Sequence, residues 1–305
     1  MTIDAPDTVA TVVPSPGGGR RLADTIGRPV RSAARTRSHR LTNVILTIVL
    51  SLGGIVMIAP LVWTLSTALK SKSAALTDPL QWIPDPIQWD NFVRVWDAGP
   101  LASGIANSLI VSVTVTVIGT GFSALAAFAF AKMRLPFKNA IFLSLLAAIM
   151  IPQFIMFANL GLVDTLWPLI LPGLFGNIVM VFFLRQFLDS VPDSIIEAAK
   201  LDGAGYLRIF TTLIFPAIRP AVAAQFILWF MAVWNDYLAP VIYLNTPAKQ
   251  TLQVVIATFN STYATQRDYP LIMAASFIAL IPVLLVFVIF QKQIIESVAL
   301  TGAKG

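Results

Sequence analysis

The sequence predicts an all-α polytopic membrane protein with six transmembrane helices, on three observations. Of its 305 residues, 57% are hydrophobic and only 12% charged, with a mean hydropathy of +0.79; soluble domains carry about 25% charged residues. Several apolar runs reach roughly 20 residues, the length at which a helix spans a bilayer. Basic residues are also spread unevenly among the connections, as in chains threaded through a membrane. The net charge of +6 therefore bears on orientation and lipid contact rather than on nucleic acid. With no cysteine and one histidine, His39, neither a metal cluster nor a Cys–His couple can be assembled.

Residues 1–42 carry Pro, Gly, Ser, Thr and seven arginines, and are expected to be a disordered basic tail. The run that follows is too long for a signal-peptide core, so an uncleaved first span is expected at 43–65. Further spans are expected at 105–131, 139–160, 166–184, 221–244 and 271–290. The loop between the first two holds Pro79, Pro84, Pro86, Trp82, Trp89 and Trp96, which suits the membrane interface. A permease domain would then run 43–291, followed by a tail at 292–305. An even number of spans puts both termini on one side, which carries sixteen of the Lys and Arg residues against five opposite. The positive-inside rule makes that side the cytoplasm.

The fourth span contains Pro168, Pro172, Gly173 and Gly176, and the second Gly104, Gly119 and Gly121. Such residues serve close helix packing, or a bend in the fourth span around a pathway. Asp236 is the one acid expected inside a span. With Asn235 it reads as an interfacial or helix-bonded acid, or as a polar lining; Asn107 is weighed between packing and substrate contact in the same way.

The loop at 190–220 is polar where its surroundings are apolar. Ser190-Val191-Pro192-Asp193 predicts a helix start with Ser190 as cap and Pro192 in the first turn. The helix should present Ile195, Ile196 and Ala199 on an apolar side and stop at Asp202-Gly203. Ala198 and Ala199 should leave a flat face that a partner can approach, with Glu197 beside it. A second helix through Tyr206, Phe210 and Leu213 should end where Pro216 and Pro220 redirect the chain.

Glu197-Ala198-Ala199, Gly203, Leu213, Phe215 and Pro216 resemble the EAA signature of bacterial ABC importer permeases, with Leu213 and Phe215 where the family more often has Ile and Leu. The longer string to Asp202-Gly203-Ala204, with Phe210 and Pro220, is similar to the carbohydrate-type permeases. Asn107-Ser108, the run 126–132, Pro152, Trp234-Asn235-Asp236 and the terminal Gly302-Ala303-Lys304-Gly305 agree with it. The resemblance covers residues 44–305.

It implies a type I ABC importer permease fold and a multi-pass subunit of the cell membrane. Its partners would be a second permease, two ATPase subunits, an extracytoplasmic sugar-binding protein and membrane lipids. The cargo would be a carbohydrate, an oligosaccharide or sugar derivative. Glu197, Ala198, Ala199, Asp202, Gly203, Ala204 and Pro216 would form the ATPase-coupling element. Asn107, Asn235 and Asp236 would line the pathway or meet the binding protein. Gly302, Ala303, Lys304 and Gly305 would contact the ATPase. The chain has no GxxxxGK[ST] phosphate loop, so ATP and Mg are expected on the partners and no cofactor here. An ion-coupled secondary transporter is the alternative, but it needs ionisable groups at mid-membrane that the chain scarcely offers. A membrane-embedded enzyme lacks a nucleophile–base pair.

Overall fold

The computed structural model describes residues 35–133, 150–189 and 191–302, and every regular element among them is helical. Five helices are long and apolar enough to cross a membrane: Thr42–Ala68, Leu101–Lys132, Trp167–Asp189, Tyr206–Trp234 and Tyr269–Lys292. Of the expected third span, residues 139–149 lie outside the described residues, and the rest forms a helix at Met150–Asn159.

The first helix, α1 (Arg35–Ala68), starts seven residues before the expected end of the tail, because nothing between Arg35 and Asn43 breaks a helix. Residues 1–34 lie outside the described residues. The chain divides at Ile58 into two compact units. In the first, α1 exposes Val44, Ile48, Leu52 and Ile55, side chains that lipid solvates.

In the second unit the end of α1 leads into a loop with two short helices, α2 (Ala74–Thr77) and α3 (Asn91–Asp97). Asn91 ties this loop down by donating through Nδ2 to the carbonyls of Ala68 and Lys70, both at 2.9 Å. Lys70, buried beside Trp63, donates to the carbonyls of Asp78 and Pro79.

The central helix is α4 (Leu101–Lys132). It packs against α6 (Trp167–Leu174), α7 (Ile178–Asp189), α9 (Tyr206–Trp234) and α11 (Leu252–Thr265), while α12 (Tyr269–Gly302) packs on α9 and α11. Between α4 and α6 lies α5 (Met150–Asn159). The inner face of α4 is built of small and hydroxylated residues, Gly104, Ser108, Ser112, Thr116, Gly119 and Ser123. Ser112 and Thr116 donate to carbonyls of their own helix four residues back, each at 2.6 Å, so their polarity is absorbed where they stand.

The fourth span is interrupted, and a glycine makes the break. Gly176 has φ +104° and separates α6 from α7. Pro168 and Pro172 lie inside α6. The freed backbone is taken up locally: Asn177 N–H donates to Ser123 Oγ at 2.8 Å, and Asn177 Oδ1 accepts from Val179 and Met180.

Three boundaries differ from expectation. Pro216 and Pro220 do not end a helix, since α9 runs unbroken from Tyr206 to Trp234. A π-helical turn at Phe210–Ile214 widens the helix just before Pro216, sparing its ring the carbonyl it would strike. The helix over the expected fifth span at 221–244 ends at Trp234, so Asp236 lies outside it; a short helix, α10 (Leu238–Tyr243), follows. At the C-terminus α12 stays helical to Gly302 where a tail was expected, and Ala303, Lys304 and Gly305 lie outside the described residues.

The amphipathic α11 was not foreseen. At 14 residues it is too short to span, and it buries Leu252, Val255 and Phe259 against Phe230, Trp234 and Leu271.

A Cβ at Gly119 would strike the carbonyl of Gly173 and the ring of Trp229, whereas one at Gly121 meets nothing within 4 Å. Gly119→Ala should therefore lower the thermal midpoint in detergent, by the overpacking penalty of about 1–3 kcal/mol. Gly121→Ala should leave it unchanged, and thermal unfolding of both variants checks the pair.

Candidate functional site

The polar loop at 190–220 folds as expected at its core. Helix α8 (Asp193–Leu201) is followed by Gly203 at φ +78°, a left-handed conformation that favours glycine. Gly203 N–H donates to Lys200 O and Ala204 N–H to Ala199 O, both at 3.0 Å, which makes a Schellman C-cap. Lys200 donates through Nζ to Tyr206 Oη at 2.9 Å and lies 4.5 Å from the centre of that ring, so the turn is bridged by a side chain as well.

The start of α8 differs from expectation. Pro192 occupies the N-cap position with extended ψ of 135°, outside the first turn, and it offers no side-chain cap; Ser190 lies outside the described residues. A lysine from another helix takes over. Lys132, the last residue of α4, donates through Nζ to Val191 O at 2.8 Å and to Asp193 Oδ1 at 2.7 Å. Its side chain is only 6% exposed, against 75% for Asp193. The buried ammonium thus has two acceptors, and the carboxylate sits at the positive end of α8, where negative charge is favoured.

The two faces of α8 are sharply different. Ile196 and Ala199 are buried in the cluster that holds Ala127, Phe128, Leu188, Ile209 and Phe210. Phe128 meets Phe210 at a ring separation of 5.5 Å. Ile195 is 44% exposed and does not share that face. The alanine pair straddles the helix: Ala199 faces the bundle and Ala198 faces out. Glu197, Ala198, Asp202 and Gly203 are exposed, as is Pro216 in α9, and Ala204 packs at the cluster edge. Leu201 and Leu207, which no sequence signal singled out, are 89% and 67% exposed beside them. Helix α8 is thus anchored on one face and turns a carboxylate outward on the other, with the two leucines bare beside it.

The other candidate residues gather at the far end of α4. Asn107 Nδ2 donates to Ala248 O at 3.1 Å and Gln250 O at 3.0 Å, holding a loop. Asn235 Nδ2 donates to Met231 O, and its Oδ1 accepts from Gln253 Nε2. Asp236 Oδ1 accepts from the amides of Leu238 and Ala239 at 3.1 and 3.4 Å, starting α10. Asp236 also lines a cavity of about 180 Å³.

Two acids nearby gave no signal in the sequence. Asp164, at φ +61°, accepts from the amides of Thr246 and Asn245, from Thr246 Oγ1 and from Lys249 Nζ, all within 3.0 Å. Those bonds, led by that from the Thr246 amide, hold its carboxyl well below the usual carboxylate range. Asp268, buried, accepts from Arg94 Nη2 at 3.0 Å across 174 positions of sequence. No local pattern announces either contact.

Residues 119–299 match the family model described as "Binding-protein-dependent transport system inner membrane component". Among curated relatives, the diacetylchitobiose uptake system permease protein NgcG of Streptomyces coelicolor is 31% identical, over 82% of this chain and 85% of its own. The melibiose/raffinose/stachyose import permease protein MelC of Bacillus subtilis is 29% identical, over 90% and 99%. The sn-glycerol-3-phosphate transport system permease protein UgpE of Yersinia pestis is 28% identical, over 82% and 93%. The fold is shared with a bacterial ABC transporter involved in the import of alginate, at a TM-score of 0.71 and 24% identity, covering 84% of this chain and 97% of that one. The chain is a multi-pass membrane protein and belongs to the family of binding-protein-dependent transport system inner membrane components.

Proposed function

We propose that this chain is a membrane permease subunit of an ATP-binding-cassette importer of carbohydrate, and that α8 is the contact through which partner ATPases drive it. The observation that carries the reading is the double attachment of α8. One attachment is the Schellman turn into α9, whose 29 residues extend roughly 43 Å at the helical rise. The other is Lys132, which joins the start of α8 to the end of α4. A displacement imposed on the exposed face of α8 is thus passed to two long helices at once, which suits alternating access. Glu197, Ala198, Asp202 and Gly203 meet the ATPase in this reading, while Ala199, Ala204 and Pro216 shape the element that carries them.

The helix at Met150–Asn159, together with the apolar run before it, supports a sixth span, and the distribution of Lys and Arg favours a cytoplasmic location for both termini and α8. A second permease, two ATPases that bind ATP and Mg, and an extracytoplasmic binding protein complete the assembly. The relatives' names support a sugar cargo, since diacetylchitobiose, melibiose, raffinose and stachyose are all carbohydrates. Residues 302–305 remain the proposed tail contact to the ATPase.

Reconstitution of the assembled importer tests this reading. Glu197→Lys should insert normally yet lower ATP-driven uptake about tenfold or more, the effect of reversing a charge-assisted contact. Gly203→Pro should do the same, because proline holds φ near about −65° and cannot take the left-handed turn. Wild-type uptake by both variants would overturn the assignment. Lys132→Met keeps the apolar stem but loses both acceptors. It should raise the ATP hydrolysed per sugar transported, while Lys132→Arg retains most coupling.

A further inference from the structure

We propose that a groove between α9 and α12 is a binding site for one anionic phospholipid, with Arg219 as the receptor for its phosphate. The groove, of about 400 Å³, is walled by Phe215, Val222, Ala223 and Phe226 of α9 and by Phe290 of α12, with Arg219 among them. Phe215, Ala223, Phe226 and Phe290 are half-buried, so the groove lies open at the surface of the bundle. Beside it α12 exposes Leu284, Phe287 and Val288, one helical stripe of side chains that lipid solvates. The groove is thus continuous with an apolar surface.

Arg219 is the one charged residue between Phe210 and Trp234. It is exposed, and among the described residues it makes no hydrogen bond or ion pair, nor does any carboxylate line the groove. A charge so placed in a membrane helix is costly unless a counter-charge or the headgroup layer receives it. Its depth shows which. Phe226 meets Phe290 at a ring separation of 5.6 Å, and Phe290 stands two residues before Lys292, which closes the apolar run of α12. Arg219 lies two turns before Phe226, roughly 10 Å further toward the end of the bundle that holds α8. Helical side chains also lean toward their own N-terminus, which for α9 is that same end. The guanidinium therefore reaches the headgroup layer, while the trough from Arg219 to Phe226 enters the hydrocarbon.

A cation at one end of an apolar trough selects an amphiphile with an acidic head. The guanidinium fork matches phosphate oxygens with paired hydrogen bonds, and the trough takes the glycerol backbone and the start of the acyl chains. A carboxylate from a neighbouring protein would have to be desolvated to reach the same place, whereas a lipid phosphate already resides at that depth. A zwitterionic headgroup brings an ammonium for which the groove offers no carboxylate, so an anionic headgroup is preferred. Only the assignment to the cytoplasmic leaflet rests on the orientation proposed above; the site itself rests on the geometry of α9 and α12.

The test uses the full chain, with the subunits that co-purify with it, in lipid nanodiscs. The chain has no cysteine, so Phe287→Cys beside the groove gives it a single site for a fluorescent bimane label. Brominated phosphatidylglycerol should quench that label at about fivefold lower mole fraction than brominated phosphatidylcholine, the effect of one basic residue near a membrane surface. Arg219→Gln should abolish the difference and Arg219→Lys should keep most of it. Ala223→Phe fills the trough and should weaken quenching by phosphatidylglycerol with every charge in place. Arg267→Asn removes an exposed arginine at the opposite end of α12 and should change nothing. Equal quenching by the two lipids, or a preference that survives Arg219→Gln, would overturn the proposal. Loss of the preference on adding glycerol 3-phosphate would reveal a site for soluble anions and overturn the lipid assignment. No quenching by either lipid would mean that protein covers the groove, a second permease for instance, and would overturn it too. None of these readings depends on transport, so failure of the site and failure of the importer reading are separately visible.

Discussion

Backbone amides and carbonyls have no water to bond with inside a bilayer, so any residue that leaves a helix there must find its partners in the protein. The interrupted parts of this chain are organised around that constraint. At Gly176 the break between α6 and α7 is closed by Ser123 and by the side chain of Asn177. Beyond Trp234, Asp236 takes the amides that open α10. The stretch before α11 is held by Asn107, Ser108 and Asp164, each bonding backbone groups far from it in sequence. Polar residues in an otherwise apolar chain are therefore concentrated where helices stop.

The same logic operates with a charge at the opposite end. Lys132 would be costly to bury alone, but the carbonyl of Val191 and the carboxylate of Asp193 make its burial tolerable and orient α8 in doing so. Ile196 and Ala199 fill the space behind, and Gly203 turns the chain back toward the membrane. The element thus combines a charged tether, an apolar seat and a left-handed exit.

The sequence was most legible where local chemistry dominates. Long apolar runs announced five described helices, and Asp202-Gly203 announced the end of α8, since both signals depend only on nearby residues. It misled where neighbours decide. Pro216 looks like a terminator until the π turn before it is seen, and Ala198 and Ala199 look like one face although consecutive helical residues point about 100° apart. Asp236 sits in a continuous apolar stretch, and only its bonds to the following amides reveal the break. Lys132 closed a recognisable string of alanines and phenylalanines, but its acceptors lie 59 and 61 positions away and could not be named from that string.

The self-contained hydroxyls of α4 also affect how the bundle can move. Ser112 and Thr116 bond carbonyls of their own helix, and among the described residues no hydrogen bond leaves either of them for a neighbour. Between its anchor points at Asn107–Ser108 and Ser123, the helix therefore meets the surrounding elements through dispersion contacts, with Val111 and Val115 in the core cluster and Gly119 close against Gly173 and Trp229. An axial slip along that face would break the polar bonds at both ends and drive Trp229 and Gly173 off Gly119. The middle of α4 is in effect a keyed shaft, seated by shape alone and set in register by the polar bonds at its two ends.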